Sequence, residues 1–116
     1  MKEQISTAYW HEKLKQLGII VIIPSYNNGK TLAEVIASVR LYAPEILVVN
    51  DGSTDETPEI LNQEANLHII THPVNQGKGV ALRHRLSLAK KQGFRYAITI
   101  DSDGQHFASD IPALIE

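Results

Sequence analysis

The sequence predicts an α/β fold organised around a mostly parallel sheet. Four short apolar runs, at 19–23, 46–49, 67–71 and 96–100, are rich in Ile and Val. They read as strands, and the first, 19–23, reads as one buried on both faces. The stretches between them carry apolar residues at helical spacing, which gives a Rossmann-like order β-α-β-α-β-α-β and helices on both faces of the sheet.

The first strand, Ile19-Ile20-Val21-Ile22-Ile23, is expected to stop at Pro24. Leu32, Val35, Ile36 and Val39 then repeat at helical spacing, so residues 31–41 read as a helix with one buried stripe. Ile46-Leu47-Val48-Val49 is the second strand, and a helix is expected over 55–64, with Pro58 in its first turn. Leu67-His68-Ile69-Ile70-Thr71 is the third strand. A third helix over 80–92 closes at Gly93. Tyr96-Ala97-Ile98-Thr99-Ile100 is the fourth strand, and Ser109-Asp110-Ile111-Pro112 opens a further helix. Residues 1–18 read as a helical extension covering a sheet edge with Trp10, Leu14 and Leu17, and 19–116 as the main unit.

Bulk properties exclude several classes. The chain has 116 residues, 43% of them hydrophobic, which suits one packed domain. Its formal net charge of −2 gives no electrostatic case for nucleic acid or an anionic membrane. Without cysteine there are no disulfides and no thiolate zinc sites. The longest apolar run is the five residues 19–23, against the ~20 that a membrane span needs. A reducing compartment is permitted, and a cytoplasmic location, at the membrane face for an intact protein, is the expectation.

The functional argument comes from where the polar residues fall. In open parallel sheets, ligands bind beyond the carboxyl ends of the strands. Each strand here runs directly into a polar cluster: Pro24-Ser25-Tyr26-Asn27-Asn28-Gly29, Asn50-Asp51-Gly52-Ser53-Thr54-Asp55, His72-Pro73-Val74-Asn75-Gln76-Gly77-Lys78-Gly79 and Asp101-Ser102-Asp103-Gly104-Gln105-His106. Any one of these is an ordinary βα turn; four on one rim point to a site. Asp101 and Asp103, two apart in an extended segment, project to the same side and call for a cation between them. Mg2+ or Mn2+ suits such oxygen ligands and leaves positions for phosphate oxygens, with Gln105 able to add an amide oxygen. Asp51 offers an acceptor to a base N–H and Tyr26 a ring to stack on it. Lys78, between two glycines, reaches a phosphate, whereas Arg83 reads equally as a surface charge. Asp55 has a plainer role as a charge or cap at the next helix N-terminus.

Competing nucleotide motifs fail. Asn28-Gly29-Lys30-Thr31 resembles the end of a P-loop, but the required earlier glycine is Pro24. Gly77-Lys78-Gly79 lacks the third glycine of a dinucleotide fingerprint, because position 82 is Leu. A sugar nucleotidyltransferase would carry a Gly-rich, Arg-containing loop after the first strand, and 24–30 holds only Gly29.

Taken together, Ile22-Ile23-Pro24-Ser25-Tyr26-Asn27-Asn28, Val48 to Asp55, Asn75 to Gly79 and Asp101 to His106 resemble family 2 inverting glycosyltransferases of the GT-A fold. The last motif is most similar to the dolichol-phosphate mannose synthase type. The resemblance implies that Pro24 and Tyr26 lie against the nucleotide, together with Asn28 and Ser53. It implies that Asp51 bonds the base, and that Lys78, Arg83 and Asp101 reach nucleotide or diphosphate. Asp101, Asp103 and Gln105 form the metal shell. The implied donor is a UDP- or GDP-linked sugar, and the acceptor a glycan hydroxyl or lipid carrier. Asn50 and Asn28 depart from the subgroup, which commonly has Asp and Glu there. The family's catalytic base is expected beyond Glu116, so the chain reads as a donor-binding N-terminal part, inactive and prone to self-association by itself. A non-catalytic nucleotide or sugar-phosphate binding module is the alternative.

Overall fold

The computed structural model describes residues 6–72, 90–102 and 108–115. Its elements are α1 (Thr7–Leu17), β1 (Ile19–Ser25), α2 (Gly29–Arg40), β2 (Ile46–Asp51), α3 (Thr57–Asn62), β3 (His68–His72) and β4 (Tyr96–Thr99). A single 3-10 turn, Ala108–Asp110, then leads into α4 (Ile111–Ile115). The strands form one sheet in the order β3-β2-β1-β4, and every pair is parallel. From β1 the chain steps outward to β2 and β3, then crosses to the other side of β1 for β4. The direction of winding therefore reverses between β1 and β4, where doubly wound sheets open a ligand crevice.

The pleat sorts the apolar residues onto two faces. Ile19, Val21, Ile23, Ile46 and Val48 pack on one face with Leu14 of α1, the Leu32-Val35-Ile36-Val39 stripe of α2, Leu61 of α3 and Ile111 of α4. Ile20, Ile22, Leu47 and Val49 form the second cluster, joined by Ile70, Phe94 and Ala97. All described helices with core residues thus serve the first face. The helix expected over 80–92 lies largely outside the described residues; Lys90 and Lys91 are helical, and Gly93 follows at φ 86° with its N–H bonded to the Lys90 carbonyl. The N-terminal helix is more integral than an edge cover. Leu14 is fully buried in the main core beneath β1, which has a strand on each side.

Several boundaries differ from expectation, each for a local reason. β1 does not stop at Pro24 but runs to Ser25. The N–H of Val21 points to the β2 side, onto the Glu45 carbonyl, while the Ile22 carbonyl faces β4 and accepts from Ile100. By the same alternation Pro24 faces the β4 side, where strand pairing has ended at Ile22 and Thr99. Its missing N–H therefore breaks no ladder bond. Helix α2 starts at Gly29, two residues earlier than the apolar stripe implies, because Asp55 satisfies its first N–H. Helix α3 is shortened to Thr57–Asn62, with Pro58 in its first turn as expected. β3 is displaced by one residue to end on His72.

Candidate functional site

The register lines up the strand ends. Ser25 pairs with Asn50, and Asp51 with His72, so His72, Asp51 and the start of the Tyr26 turn stand side by side. Asp101 follows on the far side of β1, just after Ile100, whose N–H is held by the Ile22 carbonyl. Strands lie about 4.8 Å apart, so the two gaps from β2 to β4 put roughly 10 Å between the strand ends that carry Asp51 and Asp101. Both carboxylates sit on one rim, on either side of the switch point.

The β1 turn is fixed by its neighbours. Asn27 adopts a left-handed φ of 54°, which Asn tolerates better than most residues. Its N–H donates to Ser53 Oγ at 3.1 Å, and its Oδ1 accepts from the Thr54 N–H at 2.8 Å. Ser53 in turn donates its N–H to Asn50 Oδ1 at 3.2 Å. These bonds tie the β1 and β2 loops into one unit and leave the Tyr26 ring 46% exposed at the rim.

Asp55 anchors the underside of the same unit. Oδ2 accepts the Gly29 N–H at 3.0 Å, while Oδ1 accepts the Thr57 N–H at 3.0 Å and the Thr57 hydroxyl at 2.6 Å. One carboxylate thereby serves the first turns of both α2 and α3, beyond the single capping role expected for it. Burial raises its pKa, but the Thr57 hydroxyl and the Gly29, Thr57 and Asp55 N–H groups outweigh that and hold it below the usual value. Close approach also explains Gly29. A Cβ there would stand 2.9 Å from Asp55 Oδ2 and 2.8 Å from Glu56 Cδ.

Ser102 joins the β4 loop to the β1 loop. It is 1% exposed, and its hydroxyl donates to the Pro24 carbonyl at 2.8 Å and accepts from Asn28 Nδ2 at 2.9 Å. Its own carbonyl accepts from the Thr31 hydroxyl. Pro24 and Asn28, expected beside the nucleotide, are thus brought together under Asp101, with the Asn28 amide turned to Ser102. Ser102 was not legible as a functional residue. A small polar residue between two acids looks like turn filler until its partners, more than 70 positions away, are known.

His72 was also missed. Its Nδ1 lies 3.0 Å from Asp51 Oδ1, and the two side chains are only 7% and 13% exposed. An ionised carboxylate has no proton to give, so Nδ1–H is the donor. Only the strand register reveals this pair. Of the other expected site residues, Asp51, Ser53 and Tyr26 stand on the rim as described. Lys78, Arg83, Asp103 and Gln105 lie outside the described residues. Among the described residues no group of three or more His, Asp or Glu is placed to hold a metal. Asp101, partly exposed at the carboxyl end of β4, supplies one hard oxygen donor of the type Mg2+ or Mn2+ requires. No described helix is long and apolar enough to cross a membrane.

A doubly wound parallel sheet with its polar rim at the switch point defines the class. Residues 20–116 match the family model described as glycosyl transferase family 2, and the chain belongs to that family. It is 31% identical over 115 residues to the UDP-N-acetylglucosamine–dolichyl-phosphate N-acetylglucosaminyltransferase of Methanococcus voltae, covering 84% of this chain and 46% of that one. It is 33% identical over 111 residues to the undecaprenyl-phosphate 4-deoxy-4-formamido-L-arabinose transferase of Salmonella paratyphi B, covering 84% and 32%. The fold is similar to glucosyl-3-phosphoglycerate synthase from Mycobacterium tuberculosis in complex with Mn2+, UDP and glucosyl-3-phosphoglycerate. That match has a TM-score of 0.71 and 24% identity over 99% of this chain and 44% of that one. The architecture is that of the GT-A fold. The chain spans less than half the length of these proteins.

Proposed function

We propose that the rim binds the nucleoside diphosphate of an activated sugar, and that the protein carrying it transfers the sugar to a hydroxyl or lipid-phosphate acceptor. The observation that carries this reading is the placement of Asp51 and Asp101 on one rim, on opposite sides of the switch point. Asp51 accepts from the base, with Tyr26 against its face and Pro24 and Ser53 shaping the loops below. Asn28 acts through Ser102 to hold the diphosphate end. Asp101, Asp103 and Gln105 are the residues that would hold Mg2+ or Mn2+, with Lys78 and Arg83 directed to the phosphates. A divalent ion there supplies positive charge to the departing diphosphate.

The reaction is a direct displacement. An acceptor oxygen forms the new bond to the anomeric carbon, the bond from that carbon to the diphosphate oxygen breaks, and the nucleoside diphosphate leaves. A hydroxyl acceptor also gives up its proton to a base, whereas an ionised lipid phosphate attacks through an oxygen that has no proton to lose. The relatives named above have dolichyl-phosphate and undecaprenyl-phosphate in their names, which favours a lipid phosphate as acceptor. The test is release of nucleoside diphosphate from UDP- and GDP-sugars with Mn2+, with and without a short polyprenyl phosphate. Acceptor-dependent release, lost in Asp101→Asn, is expected. Nucleotide binding without turnover in a protein of the relatives' full length would instead make this a binding module.

A further inference from the structure

We infer that Asn27 holds the Tyr26 ring in place for the base, and so sets nucleotide affinity without touching the nucleotide. The inference rests on the reading that Tyr26 stacks on the base. Tyr26 lies one residue past the end of β1, outside the strand ladder. Its ring is close to half exposed, so core packing does not fix its direction, and the backbone of the turn has to. Asp51, by contrast, is the last residue of β2 and is registered against His72 of β3. One half of a base clamp is thus built into the sheet, while the other depends on a turn.

Asn27 anchors that turn in two ways. Its backbone takes a φ of 54°, a left-handed conformation that redirects the chain between Tyr26 and α2. It is also pinned to the β2 loop. Its N–H donates to Ser53 Oγ at 3.1 Å, and its Oδ1 accepts from the Thr54 N–H at 2.8 Å and from the Thr54 hydroxyl at 3.4 Å. Ser53 extends the link by donating its N–H to Asn50 Oδ1 at 3.2 Å, and Asn50 is buried immediately before Asp51. Hydrogen bonds therefore join the residue after Tyr26 to the residue before Asp51. Alanine at position 27 removes the amide acceptor, and its Cβ disfavours a positive φ, so both anchors weaken together. A loosened ring has to be ordered when the base arrives, which lowers affinity. Asn27 is thus a positioning residue that acts through Tyr26.

The test is calorimetric binding of UDP and GDP with Mn2+ to the whole chain, Tyr26→Ala, Asn27→Ala and the double variant, each checked for cooperative melting. For the tighter nucleotide, Tyr26→Ala is expected to weaken binding by about tenfold, the effect of removing a ring from a stacked base. Asn27→Ala is expected to weaken it by about fivefold. The double variant should match Tyr26→Ala rather than reach the product of about fiftyfold, because Asn27 then has no ring to hold. Asn27→Gly takes the left-handed φ freely but lacks the amide; it should also weaken binding, and it replaces Asn27→Ala in the comparison if alanine does not fold. An Asn27 variant that binds within about twofold of the parent, or a double variant near the product, overturns the inference and leaves the donor site standing. Full affinity in Tyr26→Ala overturns the stacking reading and this inference with it. Binding of neither nucleotide overturns the donor-site reading itself.

Discussion

Replacing Ser102 by alanine is the sharpest perturbation of the loop architecture. The substitution removes one hydroxyl that donates to the Pro24 carbonyl and accepts from Asn28 Nδ2, in a residue 1% exposed. Each such bond is worth about 1 kcal/mol net, and a stranded buried partner costs about 1–3 kcal/mol. Pro24 is partly buried and Asn28 partly exposed, so water recovers some of the loss. The expected destabilisation is about 2 kcal/mol, or roughly 8 °C in Tm for a domain of this size. Urea and thermal melts of Ser102→Ala, Asn28→Ala and the double variant measure it. Because the two residues share a bond, the double variant should cost less than the sum of the singles. Metal-dependent nucleotide affinity should also fall in Ser102→Ala, because the backbone between Asp101 and Asp103 loses its tether to β1. Full additivity with Asn28, or a Tm within about 2 °C of the parent, would refute the tether.

Two other predictions concern the scaffold under the rim. The Asp55 carboxyl has a folded-state pKa below its unfolded value, so its contribution is complete above the unfolded pKa of about 3.9 and is lost as pH falls through the lower folded value. The stability gap between the parent and Asp55→Asn should therefore be flat from pH 7 to about 5 and narrow below about 4; denaturant melts across that range would show a constant gap if the carboxylate bonds do not matter. Gly29→Ala should destabilise by about 1–3 kcal/mol, since its Cβ would meet Oδ2 of the Asp55 carboxylate, a group held by three hydrogen bonds across its two oxygens. An unshifted melting curve for that variant would show that the loop yields easily.

Much of the fold was legible because it depends on local pattern. Continuous Ile and Val runs separated by helical stripes specify a parallel sheet, and the position of Asp51, Tyr26 and Asp101 at strand ends follows from that alone; only β1 and β2 are buried almost throughout, while the edge strands β3 and β4 leave Ile69 and Tyr96 exposed. Strand order was not legible, and what depended on it was missed. The Asp51–His72 pair exists because β3 lies beside β2, and the Ser102 contacts exist because β4 lies beside β1. Pro24 was misread for the same reason. A proline ends a strand only if its absent N–H was needed, and that depends on which neighbour it faces. The start of α2 was misplaced because its satisfying acceptor, Asp55, comes from another loop.

The most direct test of the central claim is nucleotide binding to the rim, read as thermal shift with UDP and GDP in the presence of Mn2+ or EDTA. A ligand that binds only the folded state at a hundredfold excess over Kd adds about 2.7 kcal/mol of stability. A metal-dependent shift with at least one nucleotide, abolished in Asp51→Ala and in Asp103→Ala while both variants still melt cooperatively, is the predicted result. A shift that survives both substitutions, or none in the folded parent protein, would contradict it.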